Sequence, residues 1–369
     1  MKKLAIIGAS YLQLPLVKKA KEMGIETHCF AWPDGAVCKD VANYFYPVSV
    51  LDKEAILQHC LAIGIDGITT IATDIAVPTI SYIAEKMNLT GNSYTSAINA
   101  TNKWHMRDAF LKNGCPVPAY KVVTHTDETT DGLTFPVIIK PVDRSGSRGV
   151  SKIDSDGQTA QAIAGAIEES TSNTAIIEEY IEGDEVSVES ISWLGRHYIL
   201  AITDKVTTGA PHFVELAHHQ PSTLSHDIQI RIKEATINAL NALDVKHGAG
   251  HTEMKITTEG KIYIIEVGAR MGGDFIGSHM VELSTGYDFV KGVIEVALGY
   301  FTEPVIAANN NAGIYFLSKD TQQLLPLFAT HQEYEVEKEV TASDLKYITN
   351  SNDRSGYLIY QSSQKINLL

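Results

Sequence analysis

The fold is decided by residues 249–255, Ala-Gly-His-Thr-Glu-Met-Lys, and residues 261–270, Lys-Ile-Tyr-Ile-Ile-Glu-Val-Gly-Ala-Arg. They predict two strands joined by a turn at residues 258–260, Thr-Glu-Gly. Glu253 lies on the first strand, and Glu266 follows the apolar run of the second. An unpaired buried carboxylate is costly, so two such groups side by side require a cation between them. Hard oxygen ligands suit Mg²⁺ together with phosphate oxygens, whereas this segment alone would also fit an ordinary hairpin with two exposed acids.

The composition limits the class of protein. The chain has 369 residues and a net charge of −14, which argues against binding to nucleic acid or to an anionic membrane. We expect two or three subdomains at this length. The four cysteines are scattered and form no CxxC pair, and the chain has neither a leader-like segment nor an apolar run of membrane-spanning length. These features predict a cytoplasmic protein.

The N-terminal segment alternates apolar strands with helices, which predicts a doubly wound parallel sheet. Its first turn, residues 8–13, reads Gly-Ala-Ser-Tyr-Leu-Gln and lacks the second and third glycines of GxGxxG. Residues 30–32, Phe-Ala-Trp, stand where a dinucleotide-binding protein would carry an acid that binds ribose. The pattern therefore argues against a dehydrogenase. Residues 72–74, Ala-Thr-Asp, are interpreted as a helix N-cap, with a ligand crevice as the alternative.

Basic residues recur at two points after this region. Residues 99–113 predict one helix with Lys103 and Arg107 on the same face. The strand predicted at residues 135–141 carries Lys140 near its end, placed to meet a phosphate or to extend into solvent.

The loop at residues 143–149, Asp-Arg-Ser-Gly-Ser-Arg-Gly, offers flexible backbone N–H donors at Ser145, Gly146 and Ser147. It suits a flap that closes over phosphates, although it lacks the GxxxxGK[ST] pattern of a P-loop.

Acidic residues mark the next two strands. The strand at residues 174–181 leads into the connector at residues 182–185, Glu-Gly-Asp-Glu. Such a break exposes backbone groups that can bind an adenine edge, and a carboxylate a few residues further on can accept both hydroxyls of a ribose. A plain β-bend is the alternative.

Residues 203–221 are polar and rich in turn formers, which predicts either a substrate loop or a surface loop that carries Glu215, His218 and His219. His247 and His251 are four residues apart, but Gly248 and Gly250 argue against a helix and hence against a zinc pair. We interpret both histidines as ordinary polar residues.

Two adjacent glycines follow Arg270 after one further residue. Gly272 and Gly273 let a ligand approach the backbone closely. From about residue 301 the pattern predicts a β-rich tail.

In this order, the lysines, the flap and the carboxylates resemble the ATP-grasp superfamily, whose members include biotin carboxylase, the large chain of carbamoyl phosphate synthetase and D-alanine–D-alanine ligase. The resemblance covers about residues 1–300. It implies an α/β protein with a Rossmann-like domain at 1–95, an ATP-grasp domain at 96–300 with a lid at about 121–182, and a small β-rich extension at 301–369.

The resemblance also implies roles for individual residues. Lys103 and Lys140 would hold ATP phosphates beneath the flap, and Glu253 and Glu266 would bind Mg²⁺ or Mn²⁺. Arg270 would steady an acyl phosphate. The residues implied in adenine and ribose binding are Glu178, Glu179, Tyr180, Ile181 and Glu185.

One position departs from the family pattern, because Gly268 stands where many members carry a metal-binding Asn. This variant, together with residues 203–221, is similar to the L-amino-acid (dipeptide) ligase branch. It implies ADP-forming ligation of a small carboxylate, such as an amino acid, to an amine or a thiol through an acyl phosphate. One of Glu215, His218 or His219 would act as a base, and a homodimer is a common assembly. A bicarbonate-using enzyme of the carboxylase or carbamoyl phosphate synthetase type and a non-catalytic ATP-binding module are the alternatives.

Overall fold

A computed structural model of the protein describes residues 1–146 and 148–369, so the predicted contact of Ser147 lies outside the described residues. Three sheets form the molecule, with helices packed against them. Among the described residues, no helix is long and apolar enough to cross a membrane.

The N-terminal sheet is parallel and has the strand order β3-β2-β1-β4, as the alternating pattern predicts. Its elements are β1 (Lys3–Ile7), α1 (Leu14–Glu22), β2 (Glu26–Phe30), β3 (Tyr44–Tyr46), α2 (Lys53–Ile63), β4 (Gly67–Thr69) and α3 (Val77–Met87). Both β1 and β2 are buried on both faces after their first residue, which explains why β1 is a continuous apolar run without polar alternation.

Two helices follow where the sequence predicted one. They are α4 (Tyr94–Asn99) and α5 (Lys103–Lys112). The prediction of a continuous helix was wrong because Asn102 is an N-cap, and its side chain accepts a hydrogen bond from the backbone N–H of His105 at 3.2 Å. The new helix therefore begins at Lys103, whose side chain is buried together with that of Arg107.

A small antiparallel sheet comes next, with the order β5-β8-β6-β7. Its elements are β5 (Tyr120–Val123), β6 (Val137–Pro141), β7 (Ser151–Ile153), α6 (Thr159–Glu169) and β8 (Ala175–Glu179). The flap, residues 143–149, lies in the connection between β6 and β7.

The large sheet has eight strands in the order β13-β12-β9-β10-β11-β14-β16-β15. Its elements are β9 (Asp184–Trp193), β10 (Arg196–Thr207), β11 (Glu215–Gln220), α7 (His226–Ala242), β12 (Gly248–Ile256), β13 (Ile262–Gly268), α8 (Val281–Thr285), α9 (Phe289–Ala297), β14 (Asn311–Leu317), α10 (Leu325–Phe328), β15 (Glu335–Val340) and β16 (Gly356–Ser362).

One face of the large sheet carries the apolar core. Val186, Val188, Met254 and Ile264 pack with α7 on this face. Alternation along each strand sends the intervening polar residues to the opposite face. Ionisable groups of the neighbouring strands β9, β10, β11 and β12 are therefore brought together on that face.

Residues 203–221 are mostly strand rather than loop, because β10 and β11 pair across residues 204–219. The prediction of a loop was wrong. One face of these strands contacts other polar groups, so their composition resembles that of a loop. The β-rich tail is confirmed, and its strands β14, β15 and β16 continue the large sheet beyond β11.

Candidate active site

A cavity of about 220 Å³ lies between the small and the large antiparallel sheets. Its walls contain most of the residues that the sequence singled out. The predicted site residues on the walls are Lys103, Lys140, Ser145, Gly146, Glu178, Glu179, Tyr180, Ile181, Glu185, Glu215, Glu253 and Glu266.

One end of the cavity, the basic pole, consists of Lys103, Arg107 and Lys140. Lys140 Nζ lies 2.7 Å from Glu178 Oε2, and Arg107 Nε lies 2.6 Å from Glu178 Oε1 in a close ion pair. Burial would raise the pKa of Glu178, but Arg107 and Lys140 lower it to about 2. Two buried cations therefore share one carboxylate, which leaves an excess of positive charge.

Glu178 has both carboxylate oxygens within reach of these cations, so the structure places its side chain against Lys140. Of the three amides predicted at the adenine edge, those of Glu179 and Tyr180 donate to Ala119 O and Pro136 O, each at 2.9 Å. Within the described residues, the amide of Ile181 has no backbone acceptor. It is the one amide of the three that remains available to a ligand.

Lys103 connects the basic pole to the metal carboxylates. Its Nζ donates to Glu266 Oε1 at 3.0 Å and to the backbone oxygen of Arg144 at 2.7 Å. The first turn of α5, the end of β13 and the flap therefore meet at this lysine.

The other end of the cavity, the acidic pole, consists of Glu185, Glu215 and Glu253 around Lys205. Lys205 Nζ lies 2.8 Å from Glu185 Oε1, 2.8 Å from Glu253 Oε1 and 3.3 Å from Glu215 Oε1. Burial would lower the pKa of Lys205, but the three carboxylates raise it well above its usual value. Lys255 Nζ lies 3.2 Å from Glu185 Oε2. Negative charge is in excess at this pole.

The two predicted metal ligands face each other across the strand pair, because Glu253 and Glu266 are register partners at a bulge. Like charges directly opposite in a sheet are destabilising, and here each acid contacts a different lysine. Among the described residues, no group of three or more His, Cys, Asp or Glu side chains could hold a metal ion. Two carboxylates nevertheless fit Mg²⁺, which usually takes its remaining ligands from water and phosphate.

His251 is not the ordinary polar residue that the sequence suggested. It is buried, its Nδ1 makes a very short contact with the carboxylate of Glu189, and its Nε2 lies 3.4 Å from Glu253 Oε1. Burial would lower the pKa of His251, but Glu189 raises it to about 9.

Arg270 lies at the junction with the N-terminal sheet. It donates from Nη2 to Asp74 Oδ2 at 2.6 Å. The N-cap prediction at residues 72–74 was wrong, because α3 begins two residues after Ile75 and its cap residue, Ala76, makes no side-chain hydrogen bond. The loop after β4 instead supplies a carboxylate that orients Arg270.

A second cavity, of about 670 Å³, adjoins the acidic pole and is lined by Tyr11, Phe275, Phe316, Tyr357 and Arg354, among others. Arg354 donates from Nη1 to Asp274 Oδ2 at 2.8 Å and from Nη2 to Glu215 Oε2 at 3.1 Å. Asp274 and Phe275 have backbone φ angles of 50° and 62°, a conformation that non-glycine residues seldom adopt. Arg354, on the wall of the second cavity, therefore contacts Glu215, on the wall of the first.

The remaining predicted substrate residues are separated by the fold. His218 Nε2 lies 3.6 Å from Asp274 Oδ2, on the side of the cavities. His219 points to the opposite face, where it contacts the Tyr360 hydroxyl at 2.9 Å. Gly272 donates its N–H to Glu189 Oε2 at 3.0 Å, and a Cβ at Gly273 would meet only Ala72 Cβ, at 3.7 Å.

Three residues of the site gave little or no functional signal in the sequence: Glu189, Lys205 and Arg354. Glu189 occupies a polar position of a predicted alternating strand, Lys205 lies in the segment that was predicted to be a loop, and Arg354 comes from a weakly patterned segment. Arg107 carried a signal, because it shares a helix face with Lys103.

A protein-family model and several curated proteins are similar to part of the chain. A model of the ATP-grasp domain family matches residues 133–278. The alanine–anticapsin ligase of Bacillus subtilis (strain 168) is 28% identical over 273 residues, which are 64% of this chain and 57% of that protein. The dapdiamide A synthase of Enterobacter agglomerans is 22% identical over 219 residues, which are 56% of this chain and 50% of that protein. The chain thus spans little more than half the length of these curated relatives.

The fold agrees with this result over the whole chain. The crystal structure of an L-amino acid ligase from Bacillus licheniformis superposes with a TM-score of 0.85 at 22% identity, covering 99% of this chain and 94% of that one. The predicted fold class and the resemblance to the superfamily are confirmed. Residues 133–278 thus match the ATP-grasp domain family, and the molecule as a whole has the ATP-grasp fold.

Proposed function

We propose that the protein is an ATP- and Mg²⁺-dependent, ADP-forming ligase that joins a small carboxylate, most simply an amino acid, to an amine. The observation that carries the proposal is the polarity of the 220 Å³ cavity, with excess positive charge at one end and excess carboxylates at the other. A magnesium nucleotide has the complementary polarity. The names of the relatives, which are ligases and a synthase, support the reaction class.

In this proposal the basic pole receives the phosphates. Lys103 and Lys140 would contact them, and the flap residues Ser145 and Gly146 would donate backbone N–H groups. The Ile181 amide would meet the adenine edge, with the neighbouring Glu179 and Tyr180 forming part of its pocket. Glu178 would act on Lys140 rather than on the base, because both of its oxygens already face cations.

The acidic pole would receive the ribose, and the metal ion would lie where the two poles meet, between Glu253 and Glu266. Glu185 would accept the ribose hydroxyls, and Glu253 and Glu266 would hold Mg²⁺ or Mn²⁺, with Gly268 leaving the remaining ligands to water and phosphate. The bound cation would supply charge neutralisation for the phosphate oxygens. Lys205 would hold the three surrounding acids at a fixed spacing before any cation arrives.

The chain's own residues mainly position the reactants. The substrate carboxylate oxygen would form a bond to the γ-phosphorus of ATP while the bond to the β-phosphate oxygen breaks and ADP leaves. A neutral amine would then attack the acyl carbon and inorganic phosphate would leave. Arg270, oriented by Asp74, would stabilise the negative charge of the acyl phosphate.

A base must take the proton that the amine loses. Both oxygens of Glu215 contact cations, whereas the ring nitrogens of the buried His218 have no hydrogen-bond partner within the described residues. We therefore favour His218 over Glu215. His219 lies on the other face of β11 and is not part of this proposal. Gly272 and Gly273 would give the substrate room beside Arg270, and the larger cavity beside Arg354 would hold its remaining part.

We further propose a cytoplasmic enzyme, since the four cysteines are free and buried. Its partners would be small molecules, and the negative net charge disfavours nucleic acid and anionic membranes. A homodimer remains a prediction.

The test is ADP release from ATP and Mg²⁺ over pairs of amino acids, with the Glu266→Gln variant as the negative arm. We expect ADP release that needs both a carboxylate and an amine, and its loss in Glu266→Gln. The matched control is Glu259→Gln, since Glu259 is an exposed acid on the turn of the same hairpin. ADP release with bicarbonate and no amino acid would instead indicate a carboxylase-type enzyme. ATP binding without any ADP release would indicate a binding module.

A further inference from the structure

The buried pair Glu189 and His251 lies behind the acidic pole, and neither residue lines the two cavities described above. The two residues are register partners on neighbouring strands, β9 and β12. Glu189 is completely buried, and its Oε1 makes the short contact with His251 Nδ1. A fully buried carboxylate is retained only with good partners, and this one uses both of its oxygens.

Each member of the pair holds a different part of the site. The second ring nitrogen of His251, Nε2, lies 3.4 Å from Oε1 of Glu253, two residues further along β12. Glu189 Oε2 accepts the N–H of Gly272 at 3.0 Å. Gly272 follows Arg270 by two residues. The pair therefore lies between the metal carboxylate and the loop that carries the arginine.

The glycine at position 272 supports this view of the pair. A Cβ built there would lie 2.4 Å from Glu189 Oε1 and 2.7 Å from His251 Nδ1. Any larger residue would have to displace the carboxylate or the imidazole. The loop approaches closely because it hydrogen-bonds the pair.

We propose that Glu189 and His251 are positioning residues, which fix the Glu253 carboxylate and the loop at residues 270–273 in relation to each other. The proposal rests on the proposed function, since it assumes that Glu253 binds the divalent cation. Without the pair, Glu253 would keep only its contact with Lys205, and the carboxylate would sample rotamers that do not face Glu266. Residues that orient metal ligands typically change metal affinity by about 10–100-fold when they are replaced.

The test compares wild type with Glu189→Gln, His251→Gln and the double variant. The main readout is the binding of Mn²⁺ in the presence of ADP, followed by electron paramagnetic resonance of free Mn²⁺. We expect the Mn²⁺ dissociation constant to rise about 10-fold or more in each variant. ADP affinity without metal should change less than about threefold, because the basic pole is untouched. Excess Mg²⁺ should restore part of kcat, which a loss of folded protein would not allow.

Two further variants distinguish a positioning role of the pair from a purely structural one. Gly272→Ala keeps both members of the pair and forces them apart, so it should weaken Mn²⁺ binding as well. Tyr360→Phe removes the hydroxyl that contacts buried His219 elsewhere in the same sheet, and it should lower stability without changing Mn²⁺ affinity.

Unchanged Mn²⁺ affinity in folded Glu189→Gln and Gly272→Ala would overturn the positioning role while leaving the proposed function intact. A wild-type protein that binds no Mn²⁺ with ADP and releases no ADP would overturn both. The two failures are therefore distinguishable by the wild-type measurement.

Discussion

Two of the buried lysines that line the cavity, Lys140 and Lys205, have opposite surroundings. Lys140 shares a single carboxylate, Glu178, with Arg107, so cations outnumber acids. Lys205 is shared by three carboxylates, so acids outnumber cations. Both side chains are nearly inaccessible to solvent, where charge imbalance is expensive. The same residue type therefore marks an anion site at one pole and helps to build a cation site at the other.

The role of a buried lysine therefore depends on the net charge of the lysine together with its ionised neighbours. At the basic pole the surplus suits phosphate oxygens, and at the acidic pole it suits a divalent cation and hydroxyl groups. A nucleotide with its metal ion would satisfy both surpluses at once.

The largest effect is expected for Lys205→Met, which leaves three neighbouring carboxylates without their shared cation. Removing one partner of a buried ion pair typically costs about 3–5 kcal/mol of stability. Added Mg²⁺ should recover part of that loss by binding the native state, whereas inorganic phosphate should not. Chemical denaturation in the presence and in the absence of each ion measures the change in the free energy of unfolding. Rescue by phosphate alone would contradict the assignment of the poles.

Lys140→Met should reduce kcat/KM for ADP release by about 10²–10³, the usual loss for one donor that stabilises developing charge. The variant keeps the apolar stem and removes the cation. Steady-state kinetics at saturating Mg²⁺ provides the measurement, and Lys112→Met, on the exposed end of α5, is the control. Wild-type kinetics in Lys140→Met would remove the phosphate role from the basic pole.

Glu185→Gln should raise the KM for ATP about 10-fold and leave kcat within about threefold, because a ribose contact contributes equally to the ground and transition states. The substitution weakens the contacts of residue 185 with Lys205 and Lys255 but conserves the volume of the side chain. An effect confined to kcat would place Glu185 with the metal ligands instead.

The smallest effect concerns His219, on the face of β11 away from both poles. Burial lowers the pKa of His219 to about 3, with no carboxylate to offset it. The folded state then binds fewer protons than the unfolded state below pH 6.5, so stability falls as the pH falls. The loss is about 1 kcal/mol between pH 6.5 and 5.5. Denaturation of His219→Gln at a series of pH values should lack this loss of stability, whereas the exposed control His212→Gln should retain it. Equal pH dependence in the two variants would show that His219 does not titrate as its burial implies.

Some of the site could be predicted because its signals are local. Lys140 and Glu266 are charged residues at or near the ends of apolar runs, Glu253 lies on the strand that precedes Glu266 in the same hairpin, and Gly146 and Gly149 of the flap are three residues apart. The parallel sheet follows from strand and helix alternation. Such features need only a few neighbouring residues.

The rest depends on register between distant strands. Lys205 meets Glu185, Glu215 and Glu253 only because β9, β10, β11 and β12 pair as they do, and no local pattern specifies that pairing. Residues 203–221 appeared to be a loop because their polar side faces other polar groups. Glu189 looked like any alternating strand residue until β12 placed His251 opposite it.

The most direct test of the two poles is an anomalous difference map from crystals grown with Mn²⁺ and ADP. The account predicts a manganese peak between Glu253 and Glu266 and nucleotide phosphates directed toward Lys103 and Lys140. A peak elsewhere, or phosphates directed toward Lys205 with no metal at the two glutamates, would contradict it.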